Sequence, residues 1–447
     1  DRPWLKDTVS DQELVTYRRY GVTSDATQLQ PAWLSSDQRT HNGNAMDAAV
    51  TTVLCVGVTN FHSNGIGGGS FLMHYNSCDH VQLPGVAGLH RAHSRHGRLR
   101  WSDLVKRVAD LLRSGVEVTK PLVQAIPSVN SVKESALYKA VRNPATGAFY
   151  AAGETFTDEK LARTFDTIAN DPMSFYNGQL ADDIVKEISE AGGKVTKEDL
   201  RQYNVAEPDP ISVELDESGL RLYSMPPPSA MLKNPTWAML DTENMAVLVA
   251  NLTSKLLAAE TRSKIFDNAT QDVEYYGPSY KQFTDSGTTH VSLVDSEGNA
   301  VVDRKRAFYT TIKWRTSLGG ISATKTIIQY RLRRRNYIKP GKRPMSSAAP
   351  VFITEQSSDQ LRYIGGAAGG SLITSALTSV LARLIYLKQN VKEATDAFRL
   401  HHELSPNDIQ YWNKSNHKSV VEIMQRLPDG SWQTSGDYRK AAETAGN

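Results

Sequence analysis

The triplet Thr288-Thr289-His290 follows Asp285-Ser286-Gly287 and opens a stretch with strand character, so a hydroxyl stands at a strand edge directly after a flexible glycine. A threonine hydroxyl so placed could serve as a nucleophile, although Gly-Thr-Thr on its own is also an ordinary turn-to-strand junction. Two segments downstream change its setting. Pro344-Met345-Ser346-Ser347-Ala348-Ala349-Pro350 brings paired serines, and Gly365-Gly366-Ala367-Ala368-Gly369-Gly370-Ser371 gives way to an apolar helix from Leu372. Paired glycines at a helix start expose backbone N–H groups at the positive end of the helix dipole, a geometry that can hold an oxyanion.

Other reactive residue types carry less. His90, His93 and His96 fall at helical spacing, but no carboxylate joins them; they read as a solvated basic helix face, and no metal is assigned. Gly65-Ile66-Gly67-Gly68-Gly69 lacks the Lys-Ser/Thr of a phosphate loop and reads as a tight backbone approach. His401 and His402 read as packing or capping groups near a helix end, and Asp47 as a helix-start acid.

The elements that must position these groups follow from periodicity. Gly43 to Gly57, small and apolar at helical spacing with Asn42 and Asn44 as caps, is a buried helix; the glycine-rich turn leads from it into a strand over Ser70–Tyr75. From about Gly97 to Tyr203 the pattern is helical, with Leu104, Val105, Val108, Leu111 and Leu112 on one face and Leu161, Phe165 and Ile168 on another. Strands follow at Ile211–Leu215 and Leu220–Met225. A hairpin joins His290–Val294 to Ala300–Val302 through Asp295-Ser296-Glu297-Gly298-Asn299, and another strand covers Val351–Thr354. Helices and strands in separate runs indicate an α+β layered protein.

Composition excludes several partners. The 447 residues carry 51 basic and 48 acidic side chains, a net +3, which gives no field for nucleic acid. The basic crowding between Asp303 and Arg343 reads as a solvated face. No run approaches the ~20 apolar residues of a membrane helix, so the chain has no membrane anchor of its own. Its start, Asp1-Arg2-Pro3-Trp4, reads as what remains after an upstream signal or anchor is removed, and sequons at Asn251, Asn268 and Asn413 point the same way. The expected location is the secretory pathway, ending at the outer face of the plasma membrane or outside the cell. There Cys55 and Cys78 would form a disulfide.

The chain resembles the gamma-glutamyltransferases. The resemblance rests, in order, on Gly43-Asn44-Ala45-Met46-Asp47-Ala48-Ala49, Asn64 to Gly69, Gly287-Thr288-Thr289-His290, Arg343-Pro344-Met345-Ser346-Ser347, Gly366-Ala367-Ala368-Gly369-Gly370 and Arg399-Leu400-His401-His402. Further likeness at Arg95–Leu99, Phe175–Gly178, Gly192–Leu200, Tyr223–Pro228 and Asp437–Lys440 extends it over most of the chain. It implies a four-layer αββα N-terminal-nucleophile hydrolase fold and self-cleavage of Gly287-Thr288. Residues 1–287 would form a large-subunit region and 288–447 a small-subunit region, each the other's partner in a heterodimer. Thr288 would attack a gamma-glutamyl amide such as glutathione with its own freed α-amine as base. The N–H groups of Gly369 and Gly370 would hold the oxyanion, and Ser346 and Ser347 the substrate α-carboxylate. The acyl group would pass to water or to an acceptor amino acid or dipeptide, with no cofactor.

The sequence also departs from that family. The segment carrying a second, supporting threonine is displaced by about twenty residues to Ser322–Tyr330, which makes Thr326 the supporting residue and puts Ile328 where the family has an asparagine for the substrate amino group. The acids that bind the α-amine should follow Tyr330, where Arg331 to Arg335 stand instead. Near Gln82 and Leu83 a segment with a carboxylate-binding arginine is missing, and a third gap follows Met231. The alternative is therefore a catalytically inactive relative with a lost glutamate pocket.

Overall fold

A computed structural model describes residues 10–26, 42–75, 80–126, 138, 140–190, 193–215, 217–226, 229, 254–266, 268–271, 275, 288–306, 346–402, 407–412, 419–440 and 442–447. Thr326, Ile328, Cys78, Gly287 and the arginines from 315 to 335 lie outside these.

Two antiparallel sheets form the centre. One has six strands in the order β17 (Glu443–Gly446), β2 (Gly21–Ser24), β9 (Thr288–Val294), β10 (Ala300–Arg306), β3 (Gly69–Tyr75) and β4 (His80–Pro84). The other has seven, β1 (Val15–Tyr17), β16 (Trp432–Thr434), β15 (Val420–Arg426), β12 (Leu361–Ala368), β11 (Val351–Glu355), β8 (Leu220–Ser224) and β7 (Ile211–Leu215). Two-stranded pairs, β5 (Val116–Glu117) with β6 (Thr155–Phe156) and β13 (Arg399–His401) with β14 (Gln410–Trp412), lie apart. Each main sheet takes strands from both sides of position 288, so neither half of the chain owns a sheet.

Helices cover both outer faces. On the six-stranded sheet lie α1 (Ala45–Thr59), α2 (Gly85–His96), α3 (Trp101–Ser114), α4 (Glu159–Asn170) and α5 (Gln179–Glu190). On the seven-stranded sheet lie α6 (Ile373–Ile385) and α7 (Val391–Asp396). Their shared cores alternate with an inter-sheet core of Met73, Val294, Val302, Phe352, Ile364, Met424 and Trp432. The order helix, sheet, sheet, helix is the αββα architecture expected from the sequence.

The helices form where composition requires. Asn44 caps α1 with a full capping box to Asp47, and every residue of that helix except Gly57 is buried, as its small apolar run demands. Leu104, Val105, Val108 and Leu112 bury one face of α3, and Leu161, Phe165 and Ile168 one face of α4. In the β9–β10 hairpin the turn is fixed by Asp295, whose Oδ1 accepts N–H bonds from Glu297 and Asn299 at 2.9 Å each.

Two readings of the sequence need correction. The α2 histidines are not a solvated face: His93 is buried and its Nε2 stands 3.2 Å from Asp47 Oδ1, while the rings of His96 and His74 stack at 4.3 Å. Asp47 also accepts the Arg98 and Leu99 N–H groups, which makes it the joint between α1 and the α2–α3 turn. His401, on β13, is buried against the first turn of α6, its Nδ1 2.8 Å from Ser375 Oγ, in keeping with a packing role near a helix end. Cys55 is a free thiol buried in α1 against the helical layer, and burial pushes its pKa up to about 12; its expected partner, Cys78, lies outside the described residues. Native Cys55 should therefore react with a thiol reagent far more slowly than after unfolding, and equal rates would contradict this placement.

Candidate active site

Side chains alternate along β9. Val291 and Leu293 belong to the core under the helices, whereas Val294 belongs to the core between the sheets. His290 and Ser292 share the face of Val294, and by the same period Thr288 faces the opposing sheet. The His290 ring confirms the direction: it lies against Gly366 of β12, where any Cβ would collide with the imidazole. Thr288 itself is buried.

The opposing sheet brings its own groups to the same end. Beyond Ala368, β12 runs into Gly369, with φ 135° and ψ 26°, and Gly370, with φ 64°, before the 3₁₀ turn Gly370–Leu372 that leads to α6. Such φ values strain any residue with a Cβ, so this glycine pair shapes the turn at the helix start. Ala367 pairs with Val421 of β15, and the Val421 N–H donates to Asp437 Oδ2 at 2.9 Å. Three residues past Asp437, the Lys440 ammonium reaches the Thr288 carbonyl at 3.4 Å. Thr288 thus sits at the end of the sandwich where the glycine pair emerges.

The paired serines arrive there too. Val351, the first residue of β11, pairs with Gly365, so Ser346 and Ser347 lead into β11 from the side toward which β12 runs on to Gly369. Ser346 and Ser347 are buried. Their segment is pinned by Ser229 Oγ, which donates to the Ala348 carbonyl at 2.8 Å, and by Ser224 Oγ, which donates to the Pro350 carbonyl at 2.7 Å. Five of the six positions singled out from sequence, Thr288, Gly369, Gly370, Ser346 and Ser347, therefore lie at one end of the fold. The sixth, Thr326, lies outside the described residues.

Behind Thr288 stands a buried polar network that motif reading missed. Asp25, just past β2, accepts hydrogen bonds from Thr289 Oγ1, from the His290 N–H at 3.0 Å and from Lys440 Nζ. His62 lies near Lys440; burial first, and that cation second, push its pKa down to about 3, so it is neutral at working pH. Asp437 carries Arg399 Nη2 at 2.7 Å and Arg439 Nη1 at 3.1 Å, all three side chains fully buried. Burial alone would raise the Asp437 carboxyl, but the two guanidiniums and the Val421 and Arg439 N–H groups hold it below the usual aspartate range. Lys440, Asp437 and the arginines sit in segments that carry the family likeness, yet nothing in their spacing gave them a role. Glu422, the lone acid in Val420-Val421-Glu422-Ile423-Met424, is the signal that a closer reading of strand patterning could have used.

The gamma-glutamyltranspeptidase family profile matches residues 39–83, 79–233 and 230–441. Its two junctions, at 79–83 and 230–233, fall where the sequence reading put missing segments. Scoloptoxin SSD14 of Scolopendra dehaani is 29% identical over 540 positions, covering 96% of this chain and 93% of its own. Since 540 aligned positions exceed the 447 residues of the chain, that alignment passes over stretches this chain lacks. Glutathione hydrolase 3 of Arabidopsis thaliana is 30% identical over 464 positions, covering 83% of this chain and 71% of its own. Among solved structures, a cephalosporin acylase from Bacillus halodurans superposes with a TM-score of 0.81 at 20% identity, covering 100% of this chain and 99% of that one, a likeness of fold. With a profile match along nearly its whole length, ordered motifs and the αββα sandwich, this chain belongs to the gamma-glutamyltranspeptidase family.

Proposed function

We propose that the chain is a glutathione hydrolase and gamma-glutamyltransferase that matures by cutting itself between Gly287 and Thr288. The cut frees the Thr288 α-amine, which takes the proton of its own hydroxyl as that oxygen attacks the gamma-glutamyl carbonyl. The N–H groups of Gly369 and Gly370 stabilise the tetrahedral oxyanion, the amine returns the proton to the leaving group, and Ser346 and Ser347 hold the α-carboxylate. Water or the amine of an acceptor amino acid or dipeptide then takes the acyl group. The observation that carries this reading is the convergence of Thr288, the glycine pair and the serine pair at one end of the sandwich. Thr326, by motif position, supports the nucleophile.

Residues 1–287 and 288–447 act in this reading as large and small fragments that stay together, because both sheets interleave strands from each. Hydrolysis of a chromogenic gamma-glutamyl anilide by purified protein, with two fragments on a denaturing gel, tests the assignment. Cleaved protein without turnover defeats it.

A second reading, a folded relative without turnover, draws support from the profile junctions at 79–83 and 230–233, which coincide with the gaps read from the sequence, the first of them at the expected place of a carboxylate-binding arginine. Buried polar groups of a substrate left unpaired cost about 1–3 kcal/mol each, so several losses together suffice to abolish binding. The same assay separates the two.

For location, no helix among the described residues is long and apolar enough to cross a membrane. We propose passage through the secretory pathway to the outer cell surface or the medium. Asn268 and Thr270 of one sequon are exposed beyond the helix Lys255–Ser263. Protein from a eukaryotic secretory host should lose mass on deglycosylation, by one glycan less in Asn268→Gln; an unchanged mass in both refutes occupancy of that site.

A further inference from the structure

Glu422 projects from β15 into the space between the sheets and is fully buried. Its Oε2 bonds to the Thr23 hydroxyl of β2, while Oε1 has no partner among the described residues. Among the described residues, the cations around this end of β15 are committed elsewhere. Lys440 serves Asp25 and the Thr288 carbonyl. Arg399 serves Asp437 and the Ser419 and Thr395 carbonyls, and Arg439 serves Asp437 and the carbonyls of Thr395, Asp396 and Ala397. Two carboxylates, Asp25 and Asp437, face Glu422 as like charges, and the imidazole of His290 lies over its strand partner Gly366.

The connections around Glu422 close on themselves. Thr23 pairs across β2 and β9 with Ser292, Ser292 Oγ stands 2.9 Å from His290 Nε2, His290 rests on Gly366, and Gly366 pairs with Glu422. That loop ties the sheets together two residues behind Thr288 and three before Gly369. We propose that Glu422 is a positioning residue: an uncharged carboxylic acid that bridges β15 to β2 and so fixes the spacing between the Thr288 strand and the strand ending in the glycine pair. This deepens the reading of Thr288 as nucleophile and rests on it, but the state of the carboxyl does not.

An ionised Glu422 would leave a bare buried oxygen beside two carboxylates, so burial first, and Asp437 and Asp25 after it, raise its pKa well above the glutamate range. The sign is definite. A carboxyl whose folded-state pKa exceeds its unfolded value lowers stability as pH rises above the unfolded pKa, whereas glutamine at the position does not titrate.

The test uses uncut protein, Thr288→Ala with and without Glu422→Gln, so that turnover is not needed. The stability difference in favour of Glu422→Gln should widen by about 2–4 °C in Tm between pH 5 and pH 8. Parallel Tm curves overturn the proposal. If Glu422→Gln does not fold, the infrared band of a protonated carboxyl in the Thr288→Ala protein at pH 7 decides: its presence supports the uncharged acid, its absence refutes it. In cut protein that turns over, Glu422→Gln should restore turnover lost in Glu422→Leu and shift the alkaline limb of kcat/KM upward. An alkaline limb unmoved by Glu422→Gln counts against the positioning role, while absence of turnover in every variant bears on the enzyme reading alone.

Discussion

Thr288→Ala should give one uncut chain on a denaturing gel and lower gamma-glutamyl anilide hydrolysis by about 10³-fold or more, the scale at which loss of an enzyme nucleophile is measured. The effect is large because one oxygen serves twice in the proposed scheme. It attacks the preceding carbonyl to cut the chain and later attacks the substrate, and without the first step no α-amine is released to act as base for the second. Thr288→Ser keeps a hydroxyl and should still cut, more slowly. The new chain start, read by N-terminal sequencing, should be Thr288-Thr289-His290-Val291. Cutting at that bond in Thr288→Ala, or anilide turnover by uncut protein, would remove the basis of the mechanism.

The cut should not release either fragment under native conditions. β9 is flanked by β2 and β10, with Ser24 registered on Val291 and Arg306 on Thr288, so the freed end remains a strand inside a sheet. Asp25 holds the Thr289 hydroxyl and the His290 N–H, and Lys440 holds the Thr288 carbonyl. These contacts fix the residue that must change from an internal peptide to a terminal amine without moving it.

Local pattern made the layers legible. The period of 3.6 in α3 and α4, the small apolar run of α1 and the alternation in β7 each encode a face, and those faces met as expected. Motif order singled out Thr288, the glycine pair and the serine pair, which the fold brings to one end of the sandwich. What stayed hidden was long-range. Asp25 lies 264 residues from Thr289, and Lys440 lies 415 residues from Asp25; no window of sequence contains either contact. His93 was misread for the same reason, since its partner Asp47 comes from another helix and turns a basic-looking helix face into a buried joint. Strand β10 ran past its expected end at Val302 because Arg304 to Arg306 pair with β3 and β9, a backbone demand that side-chain polarity does not report.

Asp437→Ala should carry the second largest effect, a loss of about 3–5 kcal/mol in stability, because it leaves Arg399 and Arg439 buried without their counter-ion. For a chain of 447 residues this corresponds to a fall in Tm on the order of 3–5 °C. Self-cleavage should fall with it, since Asp437 anchors Val421 beside Ala367 and carries the turn that brings Lys440 to Thr288. The pH signature distinguishes this charge from Glu422. Asp437 has its pKa held down by its arginines, so its stabilisation is complete above the unfolded aspartate value near 4 and is lost as pH falls through the lower folded value. Asp437→Asn should therefore narrow its Tm deficit at acid pH, opposite in direction to the widening gap of Glu422→Gln at alkaline pH. Paired unfolding curves of both variants from pH 3 to pH 9 check the two signs together. A deficit for Asp437→Asn that stays constant down to pH 3 would mean that the arginines are satisfied by other groups and that the charge pair does not hold this end of the sandwich.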